Sequence, residues 1–256
     1  MKKYFVPLVI LGCVIIGFLI FNIVFGNASH FNDALKKEPK DLMGTVYTGG
    51  PLVAILLSLI LMMVTFIIER IFSLTKAAGS KRTEVFVHEV DKLVEKGDLK
   101  GAMAACDSQK GSAASVIRAG LDRYEQLQSS PLDADKKLAE VKRSIDETMG
   151  LETPMLEKNL IVLSTVASTS TMIGLLGTTI GMIRAFQALA TAGQAASATQ
   201  LSIGISEALI NTAGGLIAAI ISIVGYNFFT TKVDGMVYGI EEGVQQLMET
   251  LAMKTK

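Results

Sequence analysis

The chain has no tryptophan, two cysteines and two histidines among its 256 residues, and its formal net charge is zero. Cys13 lies in the first apolar run and Cys106 in a polar region, which excludes a disulfide framework, and two isolated cysteines form no metal site. His30 and His88 lie outside the long apolar stretches, so those stretches contain no imidazole. Without an excess of positive charge, the chain is not a strongly basic nucleic-acid-binding protein. We expect no metal, cofactor or nucleic acid.

Charged residues are also almost absent from four long stretches, although half of the residues are hydrophobic. A helix of about 20 apolar residues crosses the ~30 Å hydrocarbon layer of a membrane. The sequence therefore predicts an all-α, polytopic membrane protein. Its four transmembrane helices are expected near residues 5–26, 48–69, 160–186 and 200–229.

The first apolar run allows two interpretations. Gly26, Asn27 and Ala28 have the small-x-small pattern of a signal-peptide cleavage site. However, the run is longer than the apolar region of about 7–15 residues that is usual in signal peptides. We favour a retained transmembrane helix followed by a short periplasmic loop, together covering residues 1–47, and the cleaved signal stays the alternative.

The distribution of lysine and arginine predicts the orientation of the chain. Residues 27–47 carry three of them, whereas residues 70–158 carry fifteen. Because cytoplasmic segments are enriched in positive charge, we expect residues 70–158 and both termini in the cytoplasm of a bacterium, with the spans in its inner membrane.

The segment between the second and third spans has helical periodicity throughout. Apolar positions such as Val87, Val90 and Val94 recur among charged residues at the spacing of an amphipathic helix. We therefore expect five regions. They are an N-terminal region (1–47), a transmembrane helix (48–69), a cytoplasmic helical domain (70–158), a transmembrane hairpin (159–231) and a C-terminal cytoplasmic helix (232–256).

Glu207 is the only charged residue between positions 185 and 231. A charged side chain at the centre of a membrane helix costs about 2.5–3.5 kcal/mol on insertion scales, so it usually faces protein or water. Small and polar residues recur on its side of the helix at spacings of three and four, which predicts close packing there. They are Gly204, Asn211, Gly214, Ala218, Ser222 and Gly225.

The third span contains a similar row of small residues. Such rows let two helix backbones approach closely, and their hydroxyl groups can bond across helices. Because residues 187–199 form a short Ala-rich link, the third and fourth spans are expected to pack as an antiparallel hairpin. The row is Ser164, Ala167, Thr171, Gly174, Thr178, Gly181 and Ala185, and Gly177 adds a GxxxG pattern with Gly181.

The residues inside the predicted spans suit no enzyme that we considered. Ser206 has no neighbouring histidine or lysine to activate it as a nucleophile. A zinc site would need several ligands, and the fourth span supplies one carboxylate. Internal repeats and interrupted spans typical of transporters are not found. We therefore expect a cyclic homo-oligomer that is not an enzyme, in which Glu207 and Thr178 form rings.

Two segments resemble the MotA/TolQ/ExbB proton-channel family, particularly its ExbB-like members. They are GLLGTTIGMIRAF in the third span and GISEALINTAGGLIAAI in the fourth, and the resemblance extends over residues 48–240. Two features depart from the family pattern. Ser170 and Thr171 stand where the family often has Ala-Pro, and the first span is additional to the usual three.

The resemblance implies a pentamer in an inner membrane that encloses the helices of an ExbD/TolR-like single-span partner. Proton-motive force would then energise a TonB-like protein for transport across the outer membrane. It also implies that Glu207, Thr178 and Thr212 line the proton pathway. Thr212 is about 140° from Glu207 on a helix of ~100° per residue, so the two face neighbouring interfaces.

Several alternatives remain open at this point. Within the family, the chain could be a TolQ-like envelope-maintenance motor or a gliding or flagellar stator subunit. Outside that role, it could be a structural scaffold. Thr178 could bond only to a backbone carbonyl, and Asn211 or a hydroxyl could hold Glu207 as a structural acid.

Lipid is expected around the spans, with Arg184 extending to the outer interface. The predicted packing residues are Gly174, Gly177, Gly181, Asn211, Gly214 and Ala218.

Overall fold

The computed structural model of the chain describes residues 5–33, 39–191 and 194–255. Within these ranges the chain is helical, with no strand beyond an isolated bridge between Phe31 and Pro39. The all-α prediction is confirmed. The α-helices are α1 (Phe5–Ile20), α2 (Leu42–Thr48), α3 (Pro51–Ala78), α4 (Thr83–Glu95), α5 (Leu99–Gln109), α6 (Gly111–Leu127), α7 (Ala134–Glu157), α8 (Leu160–Thr191) and α9 (Gln194–Thr255).

Four helical stretches are long and apolar enough to cross a membrane, as the sequence predicts. They lie within Val6–Phe25, Pro51–Glu95, Ala134–Ala190 and Leu201–Lys254. Large apolar side chains on these stretches are exposed in the single chain, for example Leu8, Leu175 and Leu209. Exposing apolar surface to water costs about 25 cal/mol per Å², so these surfaces suit hydrocarbon or protein neighbours. The chain is therefore a multi-pass membrane protein.

The helices extend beyond the predicted spans. The Ala-rich link is largely helical, because α8 continues to Thr191 and α9 begins at Gln194. Alanine is the strongest helix former, so a polar Ala-rich segment next to a helix continues it readily. At its other end α9 runs on to Thr255, so the predicted fourth span and C-terminal helix belong to one helix. The loss of hydrophobicity near residue 230 does not end a helix whose following residues also favour helix.

The chain divides into two compact units. The first consists of Met1–Ile68 and Ile161–Asn227, and therefore contains α1, α2, most of α8, and parts of α3 and α9. In this unit α1 packs directly on α3, since a Cβ atom added to Gly17 would lie 2.3 Å from the hydroxyl oxygen of Ser58. Val53 and Ala54 of α3 are buried with Phe21, close to Ile210 of α9.

The segment between α1 and α3 is held by polar and aromatic contacts. Asp41 caps the N-terminus of α2, where its carboxylate accepts a hydrogen bond from the Gly44 N–H and contacts His30 at 2.7 Å. The Gly44 N–H and then His30 lower the pKa of Asp41. The ring of Tyr47 stacks on Phe21 with centroids 4.7 Å apart, which fixes the end of α2 against the end of the first apolar helix.

The second unit consists of Glu69–Leu160 and Phe228–Lys256. Helices α4–α7 pack on one another and on the last part of α9. A Cβ atom added to Gly243 would lie 2.5 Å from a methyl group of Val87, which places α9 directly against α4. The buried core of this unit includes Phe86, Val90, Val94, Ile117, Leu121, Ile145, Leu247 and Leu251.

Arg70 is buried in the second unit, with 1% of its surface exposed. Its guanidinium donates to the carboxylate of Glu69 and to the backbone carbonyl of Leu156. Asn159 donates to the same carboxylate. Buried charges are tolerated when they are paired and hydrogen-bonded, and this cluster satisfies both conditions. It therefore stabilises the junction where α7 ends and α8 begins.

Candidate functional site

Glycines of α8 bring it into close contact with α9 in an antiparallel hairpin. A Cβ atom added to Gly177 would lie 2.3 Å from the Cβ of Asn211. At Gly181 the same atom would lie 2.8 Å from the carbonyl oxygen of Gly204 and 2.9 Å from Ala208. These distances are shorter than ordinary carbon contacts of about 3.5–4.0 Å, so side chains larger than hydrogen are excluded there.

The small residues of α9 face two different neighbours. Gly204 contacts Ala185 of α8, and Gly215 contacts Gly174 of α8. By contrast, a Cβ added to Gly214 would lie 3.4 Å from Leu56 of α3. A single row at spacings of three and four covers a broad arc of a helix, so one row can serve both neighbours. Ala218, from the same predicted row, is completely buried.

Glu207 forms an ion pair with Arg184. The guanidinium Nη1 of Arg184 donates to the Glu207 Oε1 at 2.5 Å. The Glu207 side chain is 13% exposed, and that of Arg184 is 54% exposed. The sequence interpretation placed Arg184 at the outer interface and left the acid without a cation. The structure instead joins them across the hairpin.

Asn211 binds backbone rather than the Glu207 carboxylate. Its side-chain amide donates to the carbonyl of Gly49, at 2.8 Å, and to that of Glu207, at 2.9 Å. Asn211 is completely buried, and its side-chain oxygen has no hydrogen-bond partner among the residues that the structure describes. Gly50, the next residue of the α2–α3 turn, approaches the acid itself. A Cβ added there would lie 2.9 Å from the Glu207 Oε1.

The two threonines have separate partners. The Thr178 hydroxyl donates to the backbone carbonyl of Leu175 in its own helix, at 2.7 Å. The Thr212 hydroxyl donates across the hairpin to the carbonyl of Gly174, at 3.2 Å. The hydrogen bonds therefore link Thr212 to the α8–α9 interface, whereas Thr178 bonds within α8. Both hydroxyls can accept a further hydrogen bond, because a hydroxyl has one donor and two acceptor lone pairs.

Sequence reasoning missed Arg184 and the Gly49–Gly50 turn. The hairpin itself was the available signal for Arg184, because Ala185 lies opposite Gly204 and the preceding residue is then close to Glu207. No sequence signal identified the turn, which lies more than 150 positions earlier. Within the part of the chain that the structure describes, no group of three or more metal-binding side chains is found.

The chemistry available at the site is therefore that of one carboxylate, one guanidinium and nearby hydroxyl and amide groups. A carboxylate can bind and release a proton, and a paired cation favours its ionised form. A carboxylate of this kind between the helices of an all-α, multi-pass membrane protein is typical of the general class of helical ion-conducting or energy-converting membrane proteins. Intramembrane acids of this kind commonly mark ion or proton pathways.

Similarity to known proteins narrows this class. A profile of the MotA/TolQ/ExbB proton channel family matches residues 108–242, which is more than half of the chain. The chain belongs to this family, as the sequence motifs indicate. The family is one of proton channels and not a known class of enzyme, and the relatives described next are of the TolQ and ExbB types.

Three relatives illustrate the range of similarity. The Tol-Pal system protein TolQ of Haemophilus influenzae is 33% identical over 189 residues, covering 72% of this chain and 80% of that protein. TolQ of Pseudomonas aeruginosa is 41% identical over 118 residues, which cover 46% of this chain and 51% of that protein. The biopolymer transport protein ExbB of Aquifex aeolicus is 32% identical over 118 residues, covering 46% of this chain and 72% of that protein.

Proposed function

We propose that this protein is the multi-pass subunit of a proton-driven motor in a bacterial inner membrane. The main support for this proposal is Glu207, a largely buried carboxylate between the helices of a protein of the proton channel family. We assign the proton pathway to Glu207, Thr178 and Thr212. The Glu207 carboxylate can exchange a proton, and the hydroxyl groups of the two threonines can extend a hydrogen-bonded path. The close helix packing through Gly174, Gly177 and Gly181 holds that path in a narrow seam.

The working unit in this proposal is a ring of subunits around a partner. The single carboxylate at this site offers few proton-binding groups in one chain, whereas a cyclic assembly repeats Glu207 in every subunit. The family resemblance suggests five subunits and an ExbD/TolR-like single-span partner. The exposed apolar faces of α8 and α9, such as those with Leu175 and Leu209, suit neighbouring subunits and lipid. Residues 70–158 and both chain ends would lie in the cytoplasm.

Two envelope systems are candidates for the energised process. The sequence resemblance suggests an ExbB-like role, in which a TonB-like protein receives the energy for transport across the outer membrane. Two of the relatives described above are named Tol-Pal system proteins, which favours a TolQ-like role as the second candidate. The two roles differ in phenotype. Deleting the gene would abolish energised uptake through outer-membrane receptors in the first case and weaken the outer membrane in the second.

The test of the motor role replaces Glu207 with Gln in the complete complex. An amide has nearly the shape of the carboxyl group and can still form hydrogen bonds, but it does not carry a proton. We expect normal assembly with the partner, measured by native mass spectrometry, and loss of the energised process. If Glu207→Gln cells keep both assembly and the energised process, the chain acts as a scaffold and the proposed role of Glu207 is wrong.

A further inference from the structure

Three separate segments of the chain meet at Glu207. Arg184 comes from α8, Glu207 and Asn211 come from α9, and the Gly49–Gly50 turn joins α2 to α3. All three segments belong to the first compact unit. The family motifs account for the acid, but they assign no role to the cation or to the turn.

The pairing of Arg184 with Glu207 is unequal in exposure. The carboxylate side chain is 13% exposed, whereas more than half of the arginine side chain is open. A shielded charge depends strongly on its partner, since removing one member of a buried pair leaves the other uncompensated. The long and partly exposed arginine side chain contacts the shielded acid directly, so its charge can hold the carboxylate in one position.

The turn approaches the same carboxylate oxygen that Arg184 contacts. Gly50 has a φ angle of +78°, a conformation that suits glycine, and its missing Cβ leaves the space that Glu207 Oε1 approaches. The Gly49 carbonyl accepts the buried Asn211 amide, which ties the turn to α9. The Gly50 N–H donates in turn to the carbonyl of Tyr47, the residue that stacks on Phe21.

We propose that Arg184 and the Gly49–Gly50 turn are positioning residues for Glu207. Arg184 holds the carboxylate by charge, and the turn fixes its location through Asn211 and the close approach at Gly50. The N-terminal segment that carries the turn is then part of the functional site and more than a membrane anchor. This inference rests on the proposed function of Glu207, because positioning has a consequence only if that carboxylate handles protons.

The test compares matched variants in the full complex reconstituted into liposomes, with proton flux as the measurement. Arg184→Gln removes the charge at nearly constant length, whereas Arg184→Lys keeps it. We expect Arg184→Gln to assemble normally but to lose roughly tenfold or more of the flux, the size of effect that follows from displacing a reacting group. Arg184→Lys should restore most of it, which a purely packing role would not require.

The turn is tested by Gly50→Ala, with Gly97→Ala as its control. Both glycines have positive φ angles, +78° and +83°, so both substitutions strain the backbone, but only the Cβ added at Gly50 meets the Glu207 carboxylate. Gly50→Ala should reduce flux, and Gly97→Ala should leave it unchanged. If Gly50→Ala fails to accumulate, the two Arg184 variants still decide the proposal.

The outcomes separate this inference from the proposed function. Flux that survives Glu207→Gln refutes the motor role of the acid and with it the need for positioning. Flux that is lost in Glu207→Gln but fully retained in Arg184→Gln overturns the inference alone. Equal loss in Arg184→Gln and Arg184→Lys also overturns it, because the positive charge would then not be what positions the acid.

Discussion

Replacing Gly177 with Ala should destabilise the α8–α9 hairpin. The added Cβ would lie 2.3 Å from the Asn211 Cβ, so the two helices must separate locally by more than about 1 Å to reach an ordinary carbon contact. Overpacking of this kind costs about 1–3 kcal/mol, and the rigid position of the opposing Cβ places Gly177 at the upper end. The better helix propensity of alanine offsets about 1 kcal/mol.

The expected net loss is about 2 kcal/mol, which corresponds to a fall of roughly 4–8 °C in the thermal midpoint for a chain of this size. The assay is thermal unfolding of the purified protein in detergent. Gly150→Ala in α7 is the matched control, because its added Cβ meets nothing within 4 Å and leaves only the propensity gain. A Gly177→Ala protein as stable as the Gly150→Ala protein would refute the tight packing of the hairpin.

Three further predictions concern residues outside the hairpin. Burial raises the pKa of the Cys106 thiol to about 12, so this thiol should resist alkylation at neutral pH until the protein unfolds. The pKa of Asp41 is lowered, first by the Gly44 N–H. The stability that Asp41 contributes is therefore present at pH values above the ordinary pKa of an aspartate, and it is lost as the pH falls through the lowered pKa. Asp41→Asn should remove that acid dependence in a pH series of thermal unfolding. Arg70→Leu should cost about 2–4 kcal/mol by denaturant unfolding, since it leaves buried acceptors unpaired, whereas the exposed Arg82→Ala should change stability by less than about 0.5 kcal/mol.

Much of the fold could be predicted from where charges are absent. Backbone polar groups must be satisfied within the segment when it crosses hydrocarbon, so long uncharged stretches imply helices. Helix ends were less predictable, because hydrophobicity marks the membrane boundary and not the end of a helix. This is why α9 continues to Thr255 through a change from apolar to charged sequence, and why α8 continues to Thr191.

The site could be predicted only in part. Glu207 was identifiable because an isolated acid in an apolar helix requires an explanation, and the small residues beside it indicated close packing. Its contacts were not identifiable in the same way, since they depend on how segments distant in sequence meet. Arg184 required the register of the hairpin, and Gly50 required the position of α3 against α9. Periodicity within one helix contains neither kind of information.

The division of the small residues of α9 between α8 and α3 illustrates the same limit. Helical spacing placed Gly204 and Gly214 on one row, but the structure directs Gly204 to α8 and Gly214 to α3. A row of small residues predicts that some helix approaches closely. Which helix approaches depends on packing that involves the whole bundle.

Proton flux through the reconstituted complex, with and without Glu207, tests the central claim most directly. Liposomes containing the wild-type subunit and its single-span partner should conduct protons down an imposed gradient. The same liposomes with Glu207→Gln, assembled to the same extent, should show only the background leak. Equal flux from the wild-type and Glu207→Gln complexes would contradict the account, because protons would then pass by a route that does not involve this carboxylate.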